Sequence, residues 1–231
     1  MLFDDATEEI RHDEVTRDFL RNAAHQLRTP LTGIAAAVQV LQSGAKENAE
    51  DRDRFLAHIE RHTMRLSRIA RALLVLARAQ GGETVRVELV ELEPLLRELT
   101  AEARPAEGVT LEVACEPGIA ALSDRDLLHE ALAALIDNAV EHTQEGRIEV
   151  TAAEAGGRVT VEVRDTGRGI LPEHRDRLFE PFYRPDASGQ GFGLGLAIAA
   201  QAVEAMHGEL VADDGAADGG ARFAIRLPSA K

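Results

Sequence analysis

The chain has 231 residues, room for two modest units of unequal size. Apolar residues make up 45% with only 3% aromatics and no Trp, so the interior must be mostly Leu, Ile, Val and Ala, and fibrous or disordered classes are excluded. Lys plus Arg number 26 against 40 Asp plus Glu, a net charge of −14 that repels a phosphate backbone and argues against nucleic acid as a partner. The single cysteine, Cys115, can form neither an internal disulfide nor a cysteine-rich zinc site and reads as a buried small hydrophobe. No apolar run approaches the roughly 18 residues of a membrane span, and the opening MLFDDATEEIRHDE lacks the basic flank and apolar core of a secretion signal. The chain as given is therefore expected to be soluble and cytoplasmic, with no membrane contact of its own. A sensory or membrane portion before Met1 is compatible with a first helix that opens without a clear cap.

In chain order, Leu20, Ala24, Leu27, Leu31, Ile34, Val38 and Leu41 repeat a spacing of four and three, the seam of a helix packed side by side with others. Ser43 and Gly44 end that helix near Gln42, and Phe55, Ile59, His62, Leu66, Ile69, Leu73 and Leu76 begin a second series. Two helices with one apolar stripe each cannot enclose a core alone, so a homodimer forming a four-helix bundle is expected. After Gly81-Gly82 the pattern changes. Val85 to Glu88 reads as a strand, Leu92 to Ala103 as a helix, Val109 to Val113 as a strand and Leu122 to His142 as a helix. Arg147 to Ala152 and Arg158 to Asp165 alternate as neighbouring strands, Gly195 to Met206 is helical, and Glu209 to Ala212 pairs with Ala221 to Leu227. The fold class is α+β: residues 1–80 form a helical hairpin, and residues 81–231 form a sheet covered by helices on one face.

Several residues stand out chemically. Pro30 sits inside a helical pattern, removes a backbone donor and should bend the helix beside His25, whose neutral imidazole nitrogen can act as a nucleophile. Asp165-Thr-Gly-Arg-Gly-Ile follows a strand. Its carboxylate could accept the exocyclic amine of adenine, while Gly167 and Gly169 let a flat ligand approach the backbone. Gly191-Phe-Gly-Leu-Gly-Leu opens a helix, so backbone N–H groups near Gly191, Gly193 and Gly195 are available for phosphates; the spacing is not that of a dinucleotide fold and no Walker lysine is present. Leu178 to Arg184 precedes a polar stretch suited to a cover over a nucleotide, with Arg184 facing the phosphates. Asn138 offers a side-chain oxygen to a magnesium ion carrying ATP. His58 and His62, four apart, could share a metal ion, although no third ligand is evident and a solvated or seam-polar pair is the simpler reading.

Taken in this order, A-H-Q-L-R-T-P-L, D-N-A, D-T-G-R-G, L-F-E-P-F-Y-R and G-F-G-L-G-L-A-I resemble the catalytic half of the sensor histidine kinases of two-component signalling, a dimerising phosphoacceptor hairpin followed by a Bergerat-type ATP-binding domain. The resemblance implies that His25 takes the γ-phosphoryl group of ATP, with magnesium, and passes it to an aspartate of a response regulator receiver domain. It also implies that Thr29 helps orient a water for dephosphorylating the regulator, with Arg28 and Pro30 shaping the site. Four positions depart from the usual pattern. Gln26 replaces a carboxylate beside the histidine, which implies slow autophosphorylation. Ala134 replaces a further Asn, Glu141 replaces a basic residue near the phosphates, and the cover between Arg184 and Gly191 is short. The alternatives are a Bergerat-type ATPase, disfavoured because Ala134 stands where a water-activating Glu is needed, and a catalytically weak dimeric scaffold.

Overall fold

The structure is a computed structural model that describes residues 27–80, 85–185, 193–214 and 219–230. The chain divides into two compact units, Met1–Leu73 and Leu74–Lys231.

In the first unit helix α1 occupies residues 27–42, and the chain turns at Gly44 into a single 3-10 turn, Ala45–Glu47. Helix α2, Ala49–Gln80, starts where Asn48 Oδ1 accepts the Glu50 and Asp51 N–H groups at 2.9 and 3.2 Å. The apolar stripe expected on α1 splits in two. Pro30 and Ala37 are buried and Leu27, Ile34 and Leu41 half-buried, whereas Leu31 and Val38 are exposed. On α2, Ile69 is buried and Phe55, Ile59 and Leu66 are half-buried, whereas Leu56 and Met64 are exposed. One apolar face of each helix is therefore used within the hairpin, and further apolar side chains remain in solvent.

The second unit is an α/β sandwich. Strands β1 (Glu88–Glu91) and β3 (Ala120–Ser123) pair antiparallel in a small sheet, with Leu89 opposite Leu122. The main sheet runs in the order β2 (Val109–Cys115), β4 (Gly146–Ala155), β5 (Arg158–Asp165), β7 (Ala221–Pro228), β6 (Glu209–Asp214). Only β2 and β4 are parallel, so the sheet is mixed. Helices α3 (Leu92–Glu102), α4 (Arg125–His142) and α5 (Gly195–Ala205) supply the other layer. The period of two along each strand selects Ile148 and Val150, Val159, Val161 and Val163, and Phe223, Ile225 and Leu227 for one face, where they join Leu96, Leu128, Leu132 and Ala202 in one core. The other face is polar: Arg222 pairs with Glu162 and Asp213, and Arg226 with Glu209.

Three expectations are corrected. The first strand lies at Glu88–Glu91 rather than Val85 to Glu88. The segment expected to open α4 at Leu122 is strand β3 instead, because residues 120–123 find a ladder on β1. The helix starts only after Asp124, whose Oδ1 accepts the Asp126 and Leu127 N–H groups, each at 3.1 Å. Cys115 is half-buried rather than enclosed. Partial burial, helped by Glu93, raises its thiol pKa against the opposing pull of Arg97.

Candidate active site

Strand β5 delivers Asp165 to a loop at the carboxyl end of α4. The residue is 2% exposed, and its Oδ1 accepts the N–H groups of Gly167 at 2.8 Å and Ala221 at 3.2 Å. Oδ2 has no hydrogen bond among the described residues, a costly state for a buried carboxylate unless a ligand supplies a donor. Burial raises the Asp165 pKa, and the two backbone N–H bonds and His142 oppose that rise. The loop itself is clamped: Thr166 N–H donates to the Arg147 carbonyl at 3.1 Å, and Arg147 N–H donates to Thr166 Oγ1 at 3.0 Å.

Glycine is required at two points of this loop. A Cβ on Gly167 would collide with the His142 carbonyl, so the absence of a side chain lets β5 and α4 meet. Gly220, at φ +78°, brings the start of β7 against the Asp165 backbone, where a Cβ would also collide. Sequence reasoning missed Gly220. Its one signal was a glycine pair, Gly219-Gly220, directly before an apolar strand.

Asn138 is half-buried and Asp137 exposed on α4, outside the helix's buried set of Leu127, Leu128, Ala131, Leu132, Leu135, Ile136 and Ala139. One turn before Asn138, the Ala134 carbonyl lies 3.8 Å from where a Gly195 Cβ would stand, so the first turn of α5 adjoins the face that carries Asn138. Leu194, at the N-cap of α5, makes no side-chain bond to the first-turn N–H groups, which are the groups that could meet a ligand. An oxygen donor beside an uncapped helix N-terminus fits a magnesium-bearing polyphosphate.

Phe182 and Gly193 join the two ends of the expected cover: Phe182 N–H donates to the Gly193 carbonyl at 2.7 Å, and Gly193 at φ +65° lies against the Tyr183 carbonyl. Tyr183 is anchored in turn by His174 Nδ1 at 2.8 Å and by the Arg177 guanidinium 4.2 Å above its ring. Gly191 and residues 186–190 lie outside the described residues.

His142, given no role from the sequence, proves central to the site's electrostatics. Burial lowers its pKa, Arg168 and Arg184 push in the same direction, and Glu141 and Asp165 oppose them. Burial and the two arginines thus favour the neutral imidazole, which feels the charges of Asp165, Arg168 and Arg184. Gly169 adjoins Gly220. In the other unit, Arg28 and Thr29 are exposed on α1 and the Thr32 hydroxyl donates to the Arg28 carbonyl at 2.9 Å. His25, Gln26 and the bend expected beside them lie outside the described residues. Among the described residues no group of three or more His, Cys, Asp or Glu converges as a metal cluster.

Comparison with known proteins agrees with this arrangement. Residues 16–82 match the His Kinase A (phospho-acceptor) domain, and residues 123–231 match the histidine kinase-, DNA gyrase B- and HSP90-like ATPase domain. The chain is 36% identical over 197 residues to the sensor protein IrlS of Burkholderia pseudomallei, covering 82% of this chain and 42% of that protein. Among solved structures it is similar to full-length ShkA in complex with AMPPNP, at 32% identity and TM-score 0.68, covering 93% of this chain and 46% of that one. It is also similar to the mycobacterial sensor histidine kinase MprB, at 31% identity and TM-score 0.56, covering 62% of this chain and 97% of that one. The chain spans about two fifths of the length of the curated relatives it matches. With a phosphoacceptor domain followed by an ATPase domain of this type, the chain belongs to the sensor histidine kinases of two-component signalling.

Proposed function

We propose that this chain binds ATP with magnesium, transfers the γ-phosphoryl group to His25 and passes it to an aspartate of a response regulator receiver domain. The carrying observation is Asp165, buried with one carboxylate oxygen lacking a hydrogen bond among the described residues, in a loop where Gly167 and Gly220 allow close backbone approach. Oδ2 accepts the adenine amine, which selects adenine over guanine because guanine presents a carbonyl at that position. Gly167 and Gly169 shape the loop that presents Asp165: the space their missing side chains leave is taken by the His142 carbonyl and by Gly220, and not by the base as the sequence suggested. Gly191, Gly193 and Gly195 present N–H groups to the phosphates, and Arg184 neutralises charge beside them. Asn138 would hold the magnesium ion, which would supply charge neutralisation on the phosphates.

In the transfer, a ring nitrogen of His25 forms a bond to the γ-phosphorus while the bond to the β–γ bridging oxygen breaks and ADP leaves, and the imidazole gives up one proton to solvent water. Gln26 can orient the ring through a hydrogen bond but cannot take that proton, so the step runs without a strong general base. Arg28 and Thr29, exposed on α1, follow the acceptor in sequence, and Thr29 orients a water during dephosphorylation of the regulator. Two chains pair through the exposed apolar residues of the hairpin, Leu31, Val38, Leu56 and Met64 among them. Among the described residues no helix is long and apolar enough to cross a membrane. We assign the activity to the cytoplasmic side, as part of a longer sensor.

Radiolabelled ATP tests the reading. Wild type acquires label on an acid-labile, base-stable protein bond, His25→Ala acquires none, and Asn138→Ala acquires little. Free phosphate released without need of His25 would instead establish an ATPase, and absence of both products would establish a scaffold.

A further inference from the structure

His58 and His62 stand one turn apart on α2, half-buried and outside the kinase machinery. Their Nε2 atoms are 2.9 Å apart, their ring centroids 4.3 Å apart, and the ring planes cross at 76°. Across the hairpin α1 presents Gly33, in a helix interior where glycine is disfavoured. A Cβ there would stand 2.6 Å from His62 Nε2 and 3.0 Å from its Cδ2, so the missing side chain makes the room in which that nitrogen sits.

The two distances together describe how the rings converge. A straight N–H···N hydrogen bond of this length, each nitrogen aimed at the other, would hold the centroids about 5 Å apart. Two imidazoles bound cis at 90° to one metal, with metal–nitrogen bonds of about 2.0 Å, hold their nitrogens about 2.8 Å and their centroids about 4.4 Å apart. A tetrahedral angle spreads the same separations to about 3.3 and 5.2 Å. The two imidazoles share a bent Nε2···Nε2 hydrogen bond whose separations lie near those of the right-angled case, and the i, i+4 spacing on a continuous helix sets the two rings on one face.

We infer that His58 and His62 form a two-imidazole site for a divalent transition metal of tetragonal preference, Cu(II) or Ni(II), at the α1–α2 seam beside Gly33. The two imidazoles are the protein ligands of this proposal, and water completes the coordination. On binding, the ring that carries its proton on Nε2 transfers it to Nδ1, so that both Nε2 lone pairs face the metal and each ring remains neutral.

The test is calorimetric titration of the untagged, EDTA-treated chain, without nucleotide, using Cu(II), Ni(II) and Zn(II) in turn. The expected result is one Cu(II) per chain, Ni(II) bound several-fold more tightly than Zn(II), and a copper resonance spectrum with coupling to two imidazole nitrogens. His58→Ala, which leaves His62 packed on Gly33, should weaken Cu(II) binding tenfold or more. Gly33→Ala keeps both imidazoles and improves helix propensity, yet should weaken binding by a similar factor because the Cβ displaces His62. Circular dichroism verifies each fold, and His58→Gln repeats the test if His58→Ala loses helicity. Copper binding unchanged by His58→Ala, fewer than two nitrogens in the spectrum, Zn(II) bound more tightly than Ni(II), or Gly33→Ala binding like wild type would each overturn the assignment.

Discussion

Asp165 carries opposed demands. Its burial works against ionisation, while the base recognition proposed for it needs the carboxylate. The folded pKa is raised, so the native state holds the proton more tightly than the unfolded chain, and Asp165's contribution to stability is present at acid pH. It is lost as pH rises from the unfolded value of about 3.9 through the raised native one. Asp165→Asn removes this dependence. In thermal melts without nucleotide, wild type should lose stability relative to the variant as pH rises through that window, while ATP affinity of the variant falls about tenfold to a hundredfold, the range for one buried hydrogen bond to a charged group. His142 has the opposite sign. Its lowered pKa means that stability is present above the ordinary imidazole value near 6.5 and is lost as pH falls below it, so His142→Gln should flatten the stability profile of the second unit between about pH 6.5 and lower values. Gln26→Glu restores a proton acceptor beside the phosphoacceptor and should raise the initial rate of His25 phosphorylation at saturating ATP. An unchanged rate removes Gln26 from any role in the step.

At the scale of elements, caps and close approaches decide what the hydrophobic pattern leaves open. Periodicity alone ran α4 back to Leu122, because Ala120 to Leu122 is as apolar as the helix that follows. Asp124 ends the ambiguity by capping α4 and also accepting the Arg86 N–H at 3.1 Å, which ties the stretch before β1 to the start of the helix. Asp124→Ala should therefore destabilise the second unit by about 1 to 2 kcal/mol, read as a lower midpoint in urea with an unchanged slope. The stem formed by Phe182 and Gly193 should show a different signature. Gly193→Ala forces a side chain into left-handed backbone beside the Tyr183 carbonyl. The expected outcome is a rise of tenfold or more in the KM for ATP, with a much smaller change in the melting of the sheet, whose core lies elsewhere.

For the molecule as a whole, the change after Gly81-Gly82 from helical seams to alternating strands leads us to expect two separable parts. Residues 81–231 alone should fold and bind ATP without becoming labelled, and residues 1–80 should accept label from them in trans, which a gel of the mixed fragments would show. The helical hairpin and the strands of the main sheet were legible in the sequence because periods of 3.6 and 2 are written residue by residue, and five short motifs in order carried the family. Other features depend on distant segments meeting. These include the small sheet that claims residues 120–123, the contact of Gly220 with the Asp165 backbone, the burial that lowers the His142 pKa, and the close approach of His62 to Gly33. Local composition determined what each stretch of this chain could become and which residues carried chemistry. Tertiary packing decided which of those residues lost their water and which neighbours they faced, because burial and close approach are properties of pairs of segments that no single segment encodes.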